Sequence, residues 1–396
     1  MKENIGFGVL VLLYYIYDVL NFDNKKYESL DFLYSLIINF FICFILFFIN
    51  KNIKTIYIFS IYTIIQNICR YLLVNMSKIK LNILIVHGGK NRDYMKNMSH
   101  ASKLSYNYLG YVSNDEKDED KKRLGSLEDI DEIIKKYKID RVIFKENKDV
   151  SKYYNKLIEL KLKGIMVINY LEFLEVLEEK IYLDRRDELW VLKSTNLMLV
   201  NDTFNKRIKR LIDLLLALLA LILLFPFLLL VYIAIKIERE GPVIYKQLRV
   251  GQDQKEFYLY KFRSMVNDAE KHGAVWAREN DNRVTKIGKI LRKTRIDELP
   301  QLVNIIKGDM SLIGPRPERK IFIREIEKEV KFYNIRHVVK PGVTGWAQVM
   351  YPYGASIEDA KNKLEYDLYY IKYQNFILDI VIIFKTLKTV ILGKGR

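Results

Sequence analysis

The chain has little cysteine and no pattern that would put it to use. Cys43 and Cys69 are its two cysteines, and both fall inside apolar stretches, so they read as packing residues and not as a disulfide. The four histidines, His87, His100, His272 and His337, show no metal-ligand spacing and read as structural. Also missing are a zinc signature, a helix-turn-helix and an aromatic ribonucleoprotein motif. Their absence excludes nucleic acid as the partner of a chain whose formal charge is +17. A complete Gly-Xaa-Gly-Xaa-Xaa-Gly fingerprint is lacking too. Half of the residues are hydrophobic, and together with the positive charge this suits a protein held against anionic lipid while it handles anionic substrates.

Three apolar segments open the chain, at about 5 to 22, 31 to 50 and 55 to 76, each near the length needed to cross a bilayer. They predict transmembrane helices within 1–78. The first lacks the basic start and small-residue cleavage site of a signal peptide. Lys25 and Lys26 lie in one loop and Lys51 and Lys54 in the next, so the charges give Met1 no preferred side, while everything after Lys78 is expected in the cytoplasm.

From residue 79 to about 200 the pattern turns to alternating strands and amphipathic helices. Strands are expected at Asn82–Val86, Leu109–Val112, Arg141–Phe144 and Ile165–Ile168, with helices at about 127 to 138 and 149 to 163. This predicts an α/β unit with a mostly parallel sheet, a degenerate Rossmann-like domain. His87-Gly-Gly89 follows the first strand where a phosphate loop belongs. Arg92, Tyr94 and Met95 crowd that turn, so the unit is read as a packing or regulatory module without a dinucleotide. The charged run at 113–123 is read as a solvated loop, and a homodimer through this unit is the assembly expected.

A fourth apolar stretch, Leu211 to Ile237, has basic residues on both sides: Lys206, Arg207, Lys209 and Arg210 before it, Lys236 and Arg239 near its end. An ordinary span carries its excess of Lys and Arg on the cytoplasmic side alone. Pro226, after Phe225, removes a helix hydrogen bond near the middle. Two readings fit: a proline-kinked transmembrane helix, or a re-entrant helix broken at Phe225-Pro226 whose ends both return to the cytoplasm.

Chemistry concentrates further on, in Arg292-Lys-Thr-Arg-Ile-Asp-Glu-Leu-Pro-Gln301. Leu299, Leu302, Val303 and Ile306 recur with helical spacing, and Pro300 suits a first turn. Asp297 and Glu298 thus sit at or just before a helix N-terminus, where carboxylates and phosphates are favoured. A capping Asp with a first-turn Glu is the plain reading. The functional one makes Asp297 a nucleophile toward phosphorus, with Glu298 beside it holding a divalent cation. The preceding helix is amphipathic, with Val284, Ile287, Ile290 and Leu291 on one face and Lys286, Lys289 and Lys293 on the other, as in an interfacial helix. Phe376 to Leu392 is too charged to span and is expected to pack on the catalytic core or on lipid.

Several strings surround the dyad in a fixed order: Lys-Arg-Xaa-Xaa-Asp ending at Asp213, Gly241-Pro-Val-Ile-Tyr-Lys-Gln-Leu-Arg-Val-Gly251, Tyr260-Lys-Phe-Arg-Ser-Met265, Gly314-Pro-Arg-Pro317, Pro341-Gly-Val-Thr-Gly-Trp-Ala-Gln348 and Tyr366-Asp-Leu-Tyr-Tyr370. With these motifs the chain from about Lys206 to its end resembles the bacterial polyprenyl-phosphate sugar-1-phosphate transferases, the monotopic phosphoglycosyl transferases. The resemblance implies a mostly helical, monotopic catalytic domain over 201–396 with the re-entrant helix at 211–237. It implies transfer of a sugar-1-phosphate from a UDP-sugar to undecaprenyl phosphate with release of UMP, at the cytoplasmic face of the bacterial inner membrane. Asp297 would form an aspartyl phospho-sugar, Mg2+ would lie near Asp297 and Glu298, and Arg292, Arg316, Lys261 and Arg263 would surround the phosphates. Family members usually carry a small polar residue where Phe225 stands. Two other readings are a non-enzymatic scaffold for polysaccharide assembly and a nucleotide-sugar epimerase or dehydratase. The intact dyad argues against the first; the broken glycine fingerprint, with no Tyr-Xaa-Xaa-Xaa-Lys pair, argues against the second.

Overall fold

Ile83, Leu84, Ile85 and Val86 are all buried, as a strand covered on both faces requires. They make β1 (Leu81–Val86) the centre of a parallel five-stranded sheet. Its neighbours are β2 (Tyr106–Val112) and β4 (Arg141–Phe144), with β3 (Arg123–Gly125) and β5 (Met166–Asn169) at the edges, in the order β3-β2-β1-β4-β5. That is the order of a doubly wound sheet. Register runs Ile83 to Arg141 through Val86 to Phe144 on one side of β1. Helix α1 (Ile130–Tyr137) covers the sheet with Ile130, Ile133 and Ile134. The single helix expected at 149–163 is divided into α2 (Lys148–Ser151) and α3 (Tyr154–Leu162).

The computed structural model describes residues 80–86, 106–114, 122–144, 148–151, 153–185, 190–191, 203–238, 241–266, 269, 281–351, 354 and 356–391. The three N-terminal apolar segments, the His87-Gly-Gly89 turn and most of the charged run at 113–123 lie outside the described residues. The chain divides into two compact units between Leu177 and Glu178, within α4 (Tyr170–Glu178). Ile181, Leu183 and Trp190 belong to the core of the second unit, packed with Trp346, Leu364 and Leu368. The Ile181 N–H donates to the Glu365 carbonyl at 3.0 Å, and the Trp346 indole N–H donates to the Glu179 carbonyl at 2.9 Å.

Helix α5 (Thr203–Glu238) is the long apolar element of the second unit. It runs as one helix through Pro226, so the chain is not divided there into two helices. A proline deletes a single rung of the ladder, and the rungs on either side hold the helix. One stripe of α5 faces its own domain. Arg210 donates to the carbonyls of Ile305 and Ile306, the second at 2.9 Å, and Asp213 accepts from the Leu312 N–H at 3.1 Å. Further along, Ala217 packs with Leu302 and Ile305, and Val231 and Ile235 pack with Phe262 and Leu291. At the far end the Glu238 carboxylate accepts from the Ile287 N–H at 2.9 Å. The opposite face, with Ile222, Leu223, Phe225 and Leu230, is exposed.

Against this stripe stand a hairpin of β6 (Ile244–Val250) and β7 (Glu256–Phe262), α6 (Lys286–Lys293) and α7 (Gln301–Lys307). Beyond them come β8 (Ser311–Ile313) paired in parallel with β9 (Gly342–Thr344), and α8 (Lys320–Glu329), α9 (Trp346–Met350), α10 (Ile357–Tyr373) and α11 (Phe376–Ile391). Ile382 of α11 is fully buried in the core, so this helix packs on the domain. The apolar face expected of α6 is divided: Leu291 is buried, whereas Ile290 is 63 % exposed beside Lys289 and Lys293. Gly288 explains this seating, because a Cβ there would lie 2.1 Å from the Ser264 carbonyl oxygen; α6 rests directly on backbone.

Candidate active site

Thr285 caps α6 by accepting from the Gly288 N–H at 2.9 Å, and α6 ends where Arg295 turns into the left-handed region at φ 56°. Such a conformation is unfavourable by roughly 1–2 kcal/mol for a side chain with a Cβ. It reverses the chain into a 3-10 turn, Ile296–Glu298, that carries both carboxylates. Pro300 then caps α7, which closes with Gly308 at φ 95°. Asp297 and Glu298 therefore precede α7 as the sequence suggested, but both are buried, at 8 % and 7 % exposure. They open into a cavity of about 480 Å3 lined by several cations.

The two carboxylates have opposite surroundings. Glu298 is gripped by the Arg316 guanidinium, Nη2 to Oε1 at 2.6 Å and Nη1 to Oε2 at 3.2 Å, and by Lys261 Nζ at 3.3 Å from Oε1. This is a two-pronged, charge-assisted fork plus a point charge. Burial alone would raise the Glu298 pKa, but Arg316 and Lys261 outweigh it and hold the group well below the usual carboxylate range. Asp297 makes no hydrogen bond or ion pair among the described residues. Its burial and the neighbouring Glu298 charge raise its pKa to about 6, against the opposing pull of Lys261, Arg316 and Arg292. Burial lowers the pKa of Lys261, with Glu298 opposing.

Of the expected phosphate-binding residues, Lys261, Arg292 and Arg316 line the cavity around the dyad. Arg263 lines it too, but donates to the Ile235 carbonyl at 3.3 Å and so also ties β7 to α5. Phe225 and Pro226 lie on α5, apart from the cavity lining. Sequence reasoning passed over Gln348, Arg336, Arg249 and Asp367, which the fold brings to the same cavity. Gln348 closes a quoted motif, and its Oε1 accepts from Arg316 Nη1 at 3.0 Å while its Nε2 donates to the Val343 carbonyl at 3.3 Å. Arg336 lies outside every motif, and only the fold could find it.

Among the described residues no group of three or more His, Cys, Asp or Glu side chains gathers for a metal. The donor chemistry nevertheless fits Mg2+, which characteristically takes one or two carboxylates and completes its shell with water and substrate phosphates. Asp297 offers an unpaired buried carboxylate next to that of Glu298.

A buried carboxylate pair ringed by cations, on a unit that carries a long exposed apolar helix, suits a membrane-associated domain with a cationic pocket. The profile of the bacterial sugar transferases matches residues 204–393. Over 188 residues the chain is 50% identical to the UDP-N-acetylgalactosamine-undecaprenyl-phosphate N-acetylgalactosaminephosphotransferase of Aeromonas hydrophila, covering 48% of this chain and 44% of that protein. It is 41% identical over 184 residues to the UDP-glucose:undecaprenyl-phosphate glucose-1-phosphate transferase of Escherichia coli (strain K12), covering 46% of this chain and 40% of that one. The exopolysaccharide production protein PSS of Rhizobium leguminosarum bv. phaseoli is 41% identical over 196 residues, 48% of this chain and 98% of its own length. The chain belongs to the bacterial sugar transferase family. It spans less than half the length of the first two relatives.

Proposed function

We propose that the second unit transfers a sugar-1-phosphate from a UDP-sugar to undecaprenyl phosphate in two displacements. The carrying observation is the asymmetry of the dyad: Glu298 is held ionised between Arg316 and Lys261, while Asp297 is buried, unpaired and open to the cavity. An Asp Oδ attacks the sugar-bearing phosphorus of the donor, the bond from that phosphorus to the bridging oxygen breaks, and UMP leaves with that oxygen. A phosphate oxygen of the lipid then attacks the same phosphorus, and the Asp297 carboxylate departs. Splitting one displacement into two is the advantage of a covalent intermediate. Arg316, Lys261 and Arg292 stabilise the charge that builds on the phosphoryl oxygens. Mg2+, held by Asp297 and Glu298, would supply further charge neutralisation when bound.

Donor choice leans toward an N-acetylated hexosamine. Over similar lengths the chain is 50% identical to the relative named for N-acetylgalactosamine and 41% identical to the one named for glucose.

The seating of α5 along its own domain supports a helix with both ends on one side of the membrane over a span, although the break expected at Phe225-Pro226 is not there. Arg210 and Glu238, 28 residues apart and so about 42 Å along a helix, both bind the catalytic domain, and the distance exceeds the roughly 30 Å of a hydrocarbon core. A crossing helix would pull polar elements of its own domain through the bilayer, which is prohibitively unfavourable. The domain is therefore assigned to one face of the membrane, the cytoplasmic one, where nucleotide sugars are made.

The deciding experiment incubates the protein with UDP-sugars and Mg2+ in the absence of lipid phosphate. UMP release with a sugar-phosphate mass on a peptide containing Asp297 is expected. Transfer without an adduct, or an active Asp297→Asn protein, would overturn the two-step reading; no UMP from any donor would favour the scaffold.

A further inference from the structure

Arg316 meets Glu298 with both prongs, so its value depends on how firmly the turn beneath it is aimed. That turn, Gly314-Pro-Arg-Pro317, has an unusual handicap: Pro315 and Pro317 carry no N–H, and the segment can be fastened mainly through its carbonyls. Nearly every carbonyl is used. The Gly342 N–H donates to Pro315 O at 2.9 Å and the Val250 N–H to Glu318 O at 2.9 Å. At Arg316 and Pro317 the donors are guanidiniums: Arg336 Nη2 to Arg316 O at 2.8 Å and Arg249 Nη1 to Pro317 O at 3.2 Å.

Arg336 is the more committed of these two. It is buried at 9 % exposure in the 3-10 segment Tyr333–Val338, where its Nη1 donates to the Tyr333 hydroxyl and its guanidinium carbon lies 4.9 Å from the Tyr333 ring centre. Its counter-ion is the buried Asp367 of α10, whose Oδ2 stands 2.9 Å from Nη2 as an ion pair set off the hydrogen-bond line. A single planar group thus joins α10, the 3-10 segment and the turn. A lysine could not, because two hydrogen-bond acceptors and a carboxylate lying in different directions need the guanidinium fork. A charge-assisted bond shielded from water is also the stronger kind of tether for a carbonyl.

We propose that Arg336, neutralised by Asp367, is a positioning residue of the transfer reaction, acting through the carbonyl of Arg316 to hold the arginine that serves the dyad. This rests on the function proposed above only for its consequence in rate. Displacing a group that binds the transferring phosphate by about 1 Å is enough to slow a reaction by about 100-fold.

The test removes the ion pair as a unit, Arg336→Met with Asp367→Asn, because deleting one partner alone would strand a buried charge. Three measurements are made on the full chain in nanodiscs: melting temperature, hydrogen exchange of the peptide holding residues 311–322, and kcat/KM for UMP release. The melting temperature is expected to move little, the amides around the turn to exchange about 10-fold faster, and kcat/KM to fall between 10- and 100-fold. The same double change placed in an Arg316→Ala protein is expected to cost less than about 3-fold more, since an aim without its arginine has nothing left to aim. Losses that multiply undiminished in that background would mean that Arg336 touches substrate itself or supports the fold generally, and would overturn the proposal, as would unchanged exchange at the turn. If the double variant fails to fold, Arg336→Lys, which keeps the charge beside Asp367, is carried through the same cycle with the same criteria. Absence of UMP release from the native protein would instead count against the proposed function, and the exchange result would still decide the clamp.

Discussion

Asp297→Asn should make this protein more stable, and only above a definite pH. The native carboxyl is buried, and its pKa rises from an ordinary 3.8 to about 6 through burial and the adjacent Glu298 charge. A carboxyl raised on folding binds its proton more tightly in the folded state, so its favourable contribution is complete below pH 3.8 and is lost as the pH climbs through 6. At about 1.4 kcal/mol per pH unit, ionised Asp297 opposes folding by roughly 3 kcal/mol at neutral pH. Asparagine keeps the shape and never ionises. Melting curves of the two proteins should therefore lie at a constant small offset near pH 4 and separate between pH 4 and 6. Above that, the variant should melt higher by about 6–12 °C, taking about 2–4 °C per kcal/mol for a unit of this size. Glu298, held well below the usual carboxylate range, stays ionised over this window and does not blur it. A difference that does not change with pH, or a variant that melts lower throughout, would refute the claim that Asp297 is buried against its own charge.

The remaining expectations are simpler to check. In Glu298→Gln the charge that helps raise Asp297 is gone, so any residual UMP release should keep its rate to a lower pH than in the native protein, at a rate reduced at least 100-fold because Arg316 and Lys261 lose their partner. Gly342→Ala puts a Cβ 2.1 Å from the Gly314 nitrogen and 2.7 Å from its oxygen, backbone that cannot yield, so unfolding should become easier by at least about 2 kcal/mol and UMP release should fall with it. Cysteines at Lys206 and Glu238, in a protein lacking Cys43 and Cys69, should both resist a membrane-impermeant thiol reagent in intact cells; labelling of one alone from outside would mean that α5 crosses.

The α/β unit was readable because strand and helix have different periods. Four of its five strands follow from runs such as Asn82-Ile-Leu-Ile-Val86, each within a few residues of its observed ends. The three-residue β3 was not readable, since Arg123-Leu-Gly125 is too short for any alternation to register. For α6 the helix was legible and its burial was not. Helical periodicity groups Ile290 with Leu291, but Gly288 rests on the Ser264 carbonyl and rotates Ile290 outward. In the same way Arg263 could be read as a cavity cation, but its bond to the Ile235 carbonyl appears only in the fold.

Family, motif order and the neighbourhood of Asp297 and Glu298 were legible without a fold, because adjacent residues stay adjacent in any fold and glycine and proline restrict their own backbone locally. A long apolar segment from Leu211 to Ile237 was legible too, and it lies within the helix Thr203–Glu238. Tertiary structure alone decided which carboxylate is paired and which is free. Lys261 and Arg316 reach the dyad from β7 and the Pro-Arg-Pro turn, Gln348 of α9 meets Arg316, and Arg336 and Asp367 arrive from the 3-10 segment and α10 to hold that turn. Charges separated by tens of residues act on one another only once folding has brought them within a few ångströms and excluded the water that would screen them.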